Sequence, residues 1–320
     1  MAKLGIMIEG QEGLTWERWR SIARRVEELG YESLWRSDHL FSLFGRAERE
    51  SLETFVSLVL VAQETRRIRF GPLVTSITFR HPAMLARMAA AVDVLSGGRL
   101  ELGMGAGWHQ REHEAFGIPF PPPRTRLEML EEGIQVVRAL TSGKRCSFQG
   151  RHYRLQDVES HPTPAQRPLP IIVGGSGERR LLGIVARHAD EWNVVAMTPE
   201  VYRQKCAALE RHCREAGRDP AAIRRSWMGG FLVGESAAAL ERRARRLQEV
   251  VPVMGQARPA DLPGVLRARG WLVGRPDEVV EQVHALEAVG VQRLMLQLHD
   301  QEDLEAVELV AREVMPRVAG

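Results

Sequence analysis

Short β-branched or apolar runs alternate with longer amphipathic ones along this chain, the pattern of repeated strand–helix units. The run KLGIMIE, residues 3–9, predicts a first strand. Thr15 then caps a helix whose apolar positions Trp19, Ile22, Val26 and Leu29 recur at helical spacing, with Gly30 as terminator. Strands are predicted next over 32–36, 68–76 (IRFGPLVTS) and 99–107 (RLELGMGAG), with helices over 51–65 and from Pro82 to just before Gly97-Gly98. A helix over 124–140 follows the proline-rich segment IPFPPP. PIIVGG at 170–175 predicts strand five, with a helix from about Gly177, and ADEWNVVA at 189–196 predicts strand six. A helix over 199–216, a strand over 223–233, a helix over 277–289, the strand VQRLMLQL at 291–298 and a helix from about Glu302 complete the series.

Two stretches depart from the alternation. Residues 143–169 are polar and turn-rich and predict an excursion, while 235–270, long, helical and proline-containing, predicts a helical insertion. Eight strands, each followed by a helix, favour a closed (β/α)₈ TIM barrel over an open doubly wound sheet. The whole of 1–320 then forms a single domain.

Composition narrows the function classes. Of 320 residues, 44% are hydrophobic and 27% charged, an ordinary globular balance. Net charge is +3, the small difference between 44 basic and 41 acidic side chains. The densest basic run, Arg242, Arg243, Arg245 and Arg246, lies on an Ala/Leu/Glu helix with no interleaved aromatics, so it reads as a solvated face and no nucleic-acid partner is expected. No apolar run approaches the ~20 residues a membrane helix needs, and the N-terminus lacks the apolar core and cleavage site of a leader. Cys146, Cys206 and Cys213 form no disulfide framework, in keeping with a cytoplasmic protein of reduced thiols.

In a barrel of this kind, chemistry belongs at the C-terminal strand ends, whose loops converge on one mouth. Four such ends are polar or glycine-rich: Ser37-Asp38-His39, Val74-Thr75-Ser76, the run Gly103 to Trp108, and Gly174-Gly175-Ser176-Gly177. An Asp beside a His can orient an imidazole, and alternate glycines let backbone approach a flat ring closely. Free N–H groups where Gly174–Gly177 leads into a helix attract an anion, so a cofactor phosphate fits there. His109-Gln110-Arg111-Glu112-His113 formally matches H-x-x-E-H, an inverted zinc-protease motif. Squeezed between a glycine run and Phe116-Gly117-Ile118-Pro119, it has little helix to support it, and no metal is expected.

Together WRSDHL, GPLVTSITFRHPA, DVLSGGRLELGMGAGW, EHEAFGIPFPPPRTR, FQGRHYRL, IIVGGSGERR, ADEWN and VGRPDEVVEQV resemble the luciferase-like monooxygenase superfamily, closest to its F420-dependent oxidoreductase branch. The resemblance implies a TIM barrel, usually a homodimer, with the cofactor ring in the mouth. It implies catalytic positions for His39 and Asp38 beside that ring. A non-prolyl cis peptide is implied near Leu73-Val74, with Thr75 or Ser76 close to the ring. Gly105, Ala106, Gly107 and His109 would border the cofactor, and Gly174, Gly175, Ser176 and Gly177 would hold its phosphate. Sugar-phosphate dehydrogenases of the superfamily carry a carboxylate just after the Gly-x-Gly of strand four; here that residue is Ala106, with Glu112 and Glu114 nearby. Arg111, Arg179 and Arg180 are candidates to meet the acidic tail of F420. The expected activity is hydride transfer between F420 and a small organic substrate. The alternatives are an FMN-dependent monooxygenase using oxygen, and a non-catalytic flavin-binding barrel.

Overall fold

The computed structural model describes residues 1–43, 48–255 and 257–318. The strands are β1 (Lys3–Ile8), β2 (Ser33–Arg36), β3 (Arg69–Pro72), β4 (Thr75–Ser76), β5 (Leu102–Gly105), β6 (Cys146–Gln149), β7 (Arg154–Val158), β8 (Ile171–Gly174), β9 (Glu191–Val195), β10 (Arg224–Val233), β11 (Leu272–Gly274) and β12 (Arg293–Leu298). The helices are α1 (Trp16–Glu28), α2 (Thr54–Glu64), α3 (Pro82–Ser96), α4 (Gln110–Ala115), α5 (Pro123–Thr141), α6 (Leu181–His188), α7 (Pro199–Glu215), α8 (Ala237–Val250), α9 (Leu262–Ala268), α10 (Pro276–Glu287), α11 (Leu304–Leu309) and α12 (Met315–Val318).

All pairings in the main sheet are parallel, in the order β3-β2-β1-β12-β10-β9-β8-β5-β4. β3 and β4 are two halves of one crossing, so the nine strands on this path make eight staves. A bridge between Phe70 in β3 and Leu100, two residues before β5, links the crossing to the β5 side as well. The result is a nearly closed TIM barrel with helices outside. Strands buried on both faces read as near-continuous apolar runs, which is why their sequences show no alternation. Met7, Trp35, Leu73, Ile172, Met228 and Met295 fill the lumen. At the N-terminal end Arg293 binds Glu101 at 2.6 Å, Glu191 at 2.9 Å and Glu32 at 2.6 Å, a buried charged plug.

Several expected elements differ. The strand foreseen over 68–76 is broken at Leu73-Val74, a non-prolyl cis peptide, so β3 pairs with β2 while β4 pairs with β5. The strand over 99–107 shortens to β5, because Gly107 has φ +76° and leaves extended backbone. The helix expected from Gly177 starts at Leu181, after a turn through 178–180. Helix is also present where the sequence argued against it, since α4 carries most of the HQREH segment. Within 143–169, β6 and β7 form an antiparallel hairpin. Within 235–270, α8 and α9 pack on Leu232 and Val273 as a small apolar cluster of their own. β11, foreseen by nothing in the pattern, pairs with the C-terminal end of β10. Among the described residues no helix is long and apolar enough to cross a membrane.

Candidate active site

The C-terminal strand ends open on a cavity of about 860 Å³, within the range of small-molecule sites. Its floor is apolar: Met7 from β1, Leu73 and Val74 at the cis peptide, and Met228 from β10. The wall beside β5 is close-packed. A Cβ at Gly103 would lie 2.1 Å from the Pro72 carbonyl oxygen, at Gly105 2.6 Å from Val74 Cγ2, and at Gly107 2.3 Å from Ser76 Oγ. These glycines therefore serve first the approach of β5 to the β3–β4 crossing, and only through it the shape of the cavity.

Asp38 follows β2 and is buried. Its carboxylate accepts from Thr54 Oγ1 (2.8 Å), Thr75 Oγ1 (2.6 Å) and both Arg80 Nη atoms (2.5 and 3.1 Å). Burial pushes this carboxyl up, but the Arg80 guanidinium and the two hydroxyls outweigh it and hold the group below the usual aspartate range. With four hydrogen bonds already made, Asp38 holds its neighbours in place and has little left to offer a ligand.

His39 is different. Its Nδ1 lies 2.7 Å from Glu112 Oε2, Nε2 has no partner among the described residues, and the side chain lines the cavity. Glu112 comes from α4, is fully buried, and also accepts the Leu40 N–H at 2.5 Å. Burial disfavours the His39 cation, yet the hydrogen bond and charge of Glu112, aided by Glu9 and Asp38, raise the imidazole above its ordinary 6.5. Burial likewise pushes Glu112 up, and His39, the Leu40 N–H and His109 bring it below the usual glutamate range. The geometry is that of an orienting carboxylate behind a general base. The His109 ring stands edge-on to His39 and Trp108, with centroids at 6.4 and 5.1 Å.

Polar groups line the cavity too: Glu9, beyond β1, accepts from Gln11 at 2.8 Å and from Gln297, and Gln11 accepts from Ser37 Oγ at 2.5 Å. On the far wall the N–H groups of residues 176–180 donate no hydrogen bond to any described residue, whereas the Gly175 N–H is taken by the Asn193 carbonyl. Arg126, Arg179 and Arg180 also line the cavity.

Of the residues singled out from sequence, Asp38, His39, Leu73, Val74, Ser76, Gly105, Ala106, Gly107, His109, Gly174, Gly175 and Gly177 line one cavity. Thr75 and Ser176 do not. Arg111 lies away from it, over the Phe41 ring at 5.6 Å. Sequence reasoning assigned no role to Arg80, Thr78, His113 or Glu9, and left Glu112 unplaced. The HQREH motif held the signal for Glu112 and His113, but as partners of His39 and Thr78. Among the described residues no group of three or more His, Cys, Asp or Glu is arranged to hold a metal.

The model of the luciferase-like monooxygenase family matches residues 3–293. A curated relative, the F420-dependent hydroxymycolic acid dehydrogenase of Mycobacterium tuberculosis, is 29% identical over 98% of this chain and 88% of its own length. The F420-dependent glucose-6-phosphate dehydrogenase of Kineococcus radiotolerans is 30% identical, covering 92% and 90%. Among solved structures, an F420-dependent secondary alcohol dehydrogenase in complex with an F420-acetone adduct superposes with a TM-score of 0.83 at 20% identity, over 99% of both chains, a likeness of fold.

Proposed function

The chain belongs to the luciferase-like monooxygenase family and is an oxidoreductase, and from that premise we propose that it moves a hydride between coenzyme F420, held at the barrel mouth, and a small organic substrate beside His39. The observation that carries this reading is the His39–Glu112 pair, an imidazole with one nitrogen committed to a buried carboxylate and the other open to the cavity. When bound, the cofactor supplies the hydride chemistry, and the protein supplies position and the proton.

In alcohol oxidation, neutral His39 takes the hydroxyl proton at Nε2, and Glu112 stabilises the imidazolium that results. In carbonyl reduction the same imidazolium returns that proton to the oxygen. Ala106 leaves no carboxylate after the Gly-x-Gly of β5, and Glu112 reaches the site from α4 instead.

The residues present fit a phosphorylated, acid-tailed flavin analogue. The unpartnered N–H groups of 176–180 suit a phosphate, as turns leading into a helix do. Arg179 makes no ion pair among the described residues and lines the mouth, which suits an acidic tail. The two F420-dependent relatives support F420 over FMN. A second reading, an FMN-dependent monooxygenase using oxygen, is favoured by the family description itself, and the phosphate turn serves either cofactor.

Titration of the purified protein separately with F420 and FMN, followed by turnover with each reduced form, tests the choice. F420 is expected to bind at least about tenfold tighter, a gap of ~1.4 kcal/mol. Added salt is expected to weaken F420 more, because the charges of its tail are exposed and screened. Equal affinities, or tighter FMN, would replace the F420 reading with the monooxygenase one.

A further inference from the structure

A serine hydroxyl ordinarily gives and takes hydrogen bonds interchangeably. The hydroxyl of Ser76 does not have that freedom. Ser76 ends β4 and lines the cavity, and its Oγ lies 2.6 Å from Thr78 Oγ1, which in turn lies 2.6 Å from His113 Nε2. His113 is buried between Phe79 and Phe120, ring centroids at 4.9 and 4.4 Å, and its Nδ1 lies 2.8 Å from the His109 carbonyl oxygen.

A carbonyl oxygen can only accept, so Nδ1 carries a hydrogen. The neutral ring then has a bare Nε2, which accepts the Thr78 hydroxyl. Thr78 has one hydrogen, now committed, so its oxygen accepts from Ser76. The single hydrogen of Ser76 is committed in turn, and only lone pairs face the cavity. The opposite polarity would need hydrogens on both ring nitrogens, a cation packed between two aromatic rings with no carboxylate bonded to either nitrogen.

We propose that Ser76 is a specificity-determining acceptor, whose polarity is set by His113 through Thr78, and that it recognises an N–H donor on the bound ring. The inference rests on the F420 reading. The pyrimidine edge of a deazaflavin or flavin presents carbonyl, imide N–H, carbonyl in sequence, and an acceptor-only oxygen can pair with the middle group alone. A ring slid by one position brings a carbonyl oxygen against the Ser76 lone pairs. The relay therefore fixes the register of the ring along the mouth. Gly107 keeps the hydroxyl clear, since a Cβ there would lie 2.3 Å from Ser76 Oγ.

Two measurements test this. Long-range ¹⁵N–¹H NMR of the unliganded protein, with the His113 signal assigned by its loss in His113→Gln, is expected to show a neutral ring protonated at Nδ1. A ring protonated at Nε2, or an imidazolium, overturns the proposal whatever the cofactor. In parallel, F420 and its imide-N-methylated form are titrated into the unmodified protein, Ser76→Ala and Thr78→Val. If F420 fails to bind, FMN and 3-methyl-FMN take their places, so a wrong cofactor and a wrong polarity give different results. Methylation is expected to weaken binding to the unmodified protein at least about tenfold. Ser76→Ala should erase most of that discrimination by weakening only the unmethylated ligand. Thr78→Val, which frees the Ser76 hydrogen, should narrow it as well. The same discrimination in all three proteins overturns the proposal.

Discussion

At the scale of single residues, the behaviour of His39 follows from two opposed influences on one imidazole. Burial is the largest single cause and disfavours the cation, but the hydrogen bond and charge of Glu112, with the charges of Glu9 and Asp38, together outweigh it. In alcohol oxidation the productive form is neutral His39, so turnover should rise with pH through a value above 6.5. In carbonyl reduction the productive form is the imidazolium, and turnover should fall across the same window. Glu112→Gln keeps the shape of the side chain and removes its charge, which leaves burial less opposed. Both limbs should then move to lower pH, and turnover at the optimum should drop about 10²-fold, the low end for loss of acid–base assistance. Profiles of kcat against pH in both directions check this, and an unmoved profile takes the pair out of the mechanism. Ser37-Asp38-His39 was legible from sequence because three neighbouring residues at a strand end share one environment. The division of labour between them was not. Asp38 is committed to Arg80, 42 positions away, and His39 to Glu112, 73 positions away. HQREH reads the same whichever way its helix faces, so spacing alone could not tell a partner of His39 from a zinc ligand.

Among elements, those with an unambiguous pattern were the ones readable in advance. β1, β10 and β12 are long and apolar, and α1 shows the Trp19, Ile22, Val26 stripe that the fold buries. β4 has two residues and β11 three, too short for any period to register. The true start of α6 at Leu181 was hidden because Gly174–Gly177 offers glycines enough for a turn of any length. In β5 and just beyond it the glycines were visible but their cause was not, since what they make room for is Pro72, Val74 and Ser76 on the neighbouring crossing. Gly107 makes this measurable. Its φ of +76° strains any side chain, and its Cβ would also strike Ser76 Oγ at 2.3 Å. Gly217 has a similar φ of +65° with nothing within 4 Å. Gly217→Ala should therefore cost only the backbone term, about 1 kcal/mol, whereas Gly107→Ala should cost about 2 kcal/mol or more and weaken cofactor binding. Denaturant midpoints of the two variants decide it, and equal losses would mean that the β5 wall yields without cost.

For the whole molecule, the outer surface of the barrel is uneven in a way that bears on assembly. α2 (TFVSLVLVAQE) has no charged residue before Glu64, and it exposes Val56 (56%) and Val59 (36%) one turn apart. α3 packs beside it and exposes Met84 (54%) and Leu95 (46%), with Met88 and Ala91 between them at helical spacing. A surface helix ordinarily keeps its apolar residues on the inward stripe. Here two adjacent helices carry them on the outward side as well, whereas α7 and α8 face solvent with Arg, Lys and Glu. Contiguous exposed apolar patches are a common feature of protein–protein interfaces. A second copy related by a two-fold axis can cover the patch with the same patch, which is how most soluble oligomers close. The family resemblance implies a homodimer, and the α2–α3 face is where this prediction puts its contact. Light scattering at micromolar concentration should return twice the 36.0 kDa chain mass. The double substitution Val56→Glu with Met84→Glu puts one charge on each helix of the patch and should return the single-chain mass with the barrel's circular dichroism intact. A single-chain mass for the unmodified protein would rule the dimer out, and a dimer that survives the double substitution would move the interface to another face.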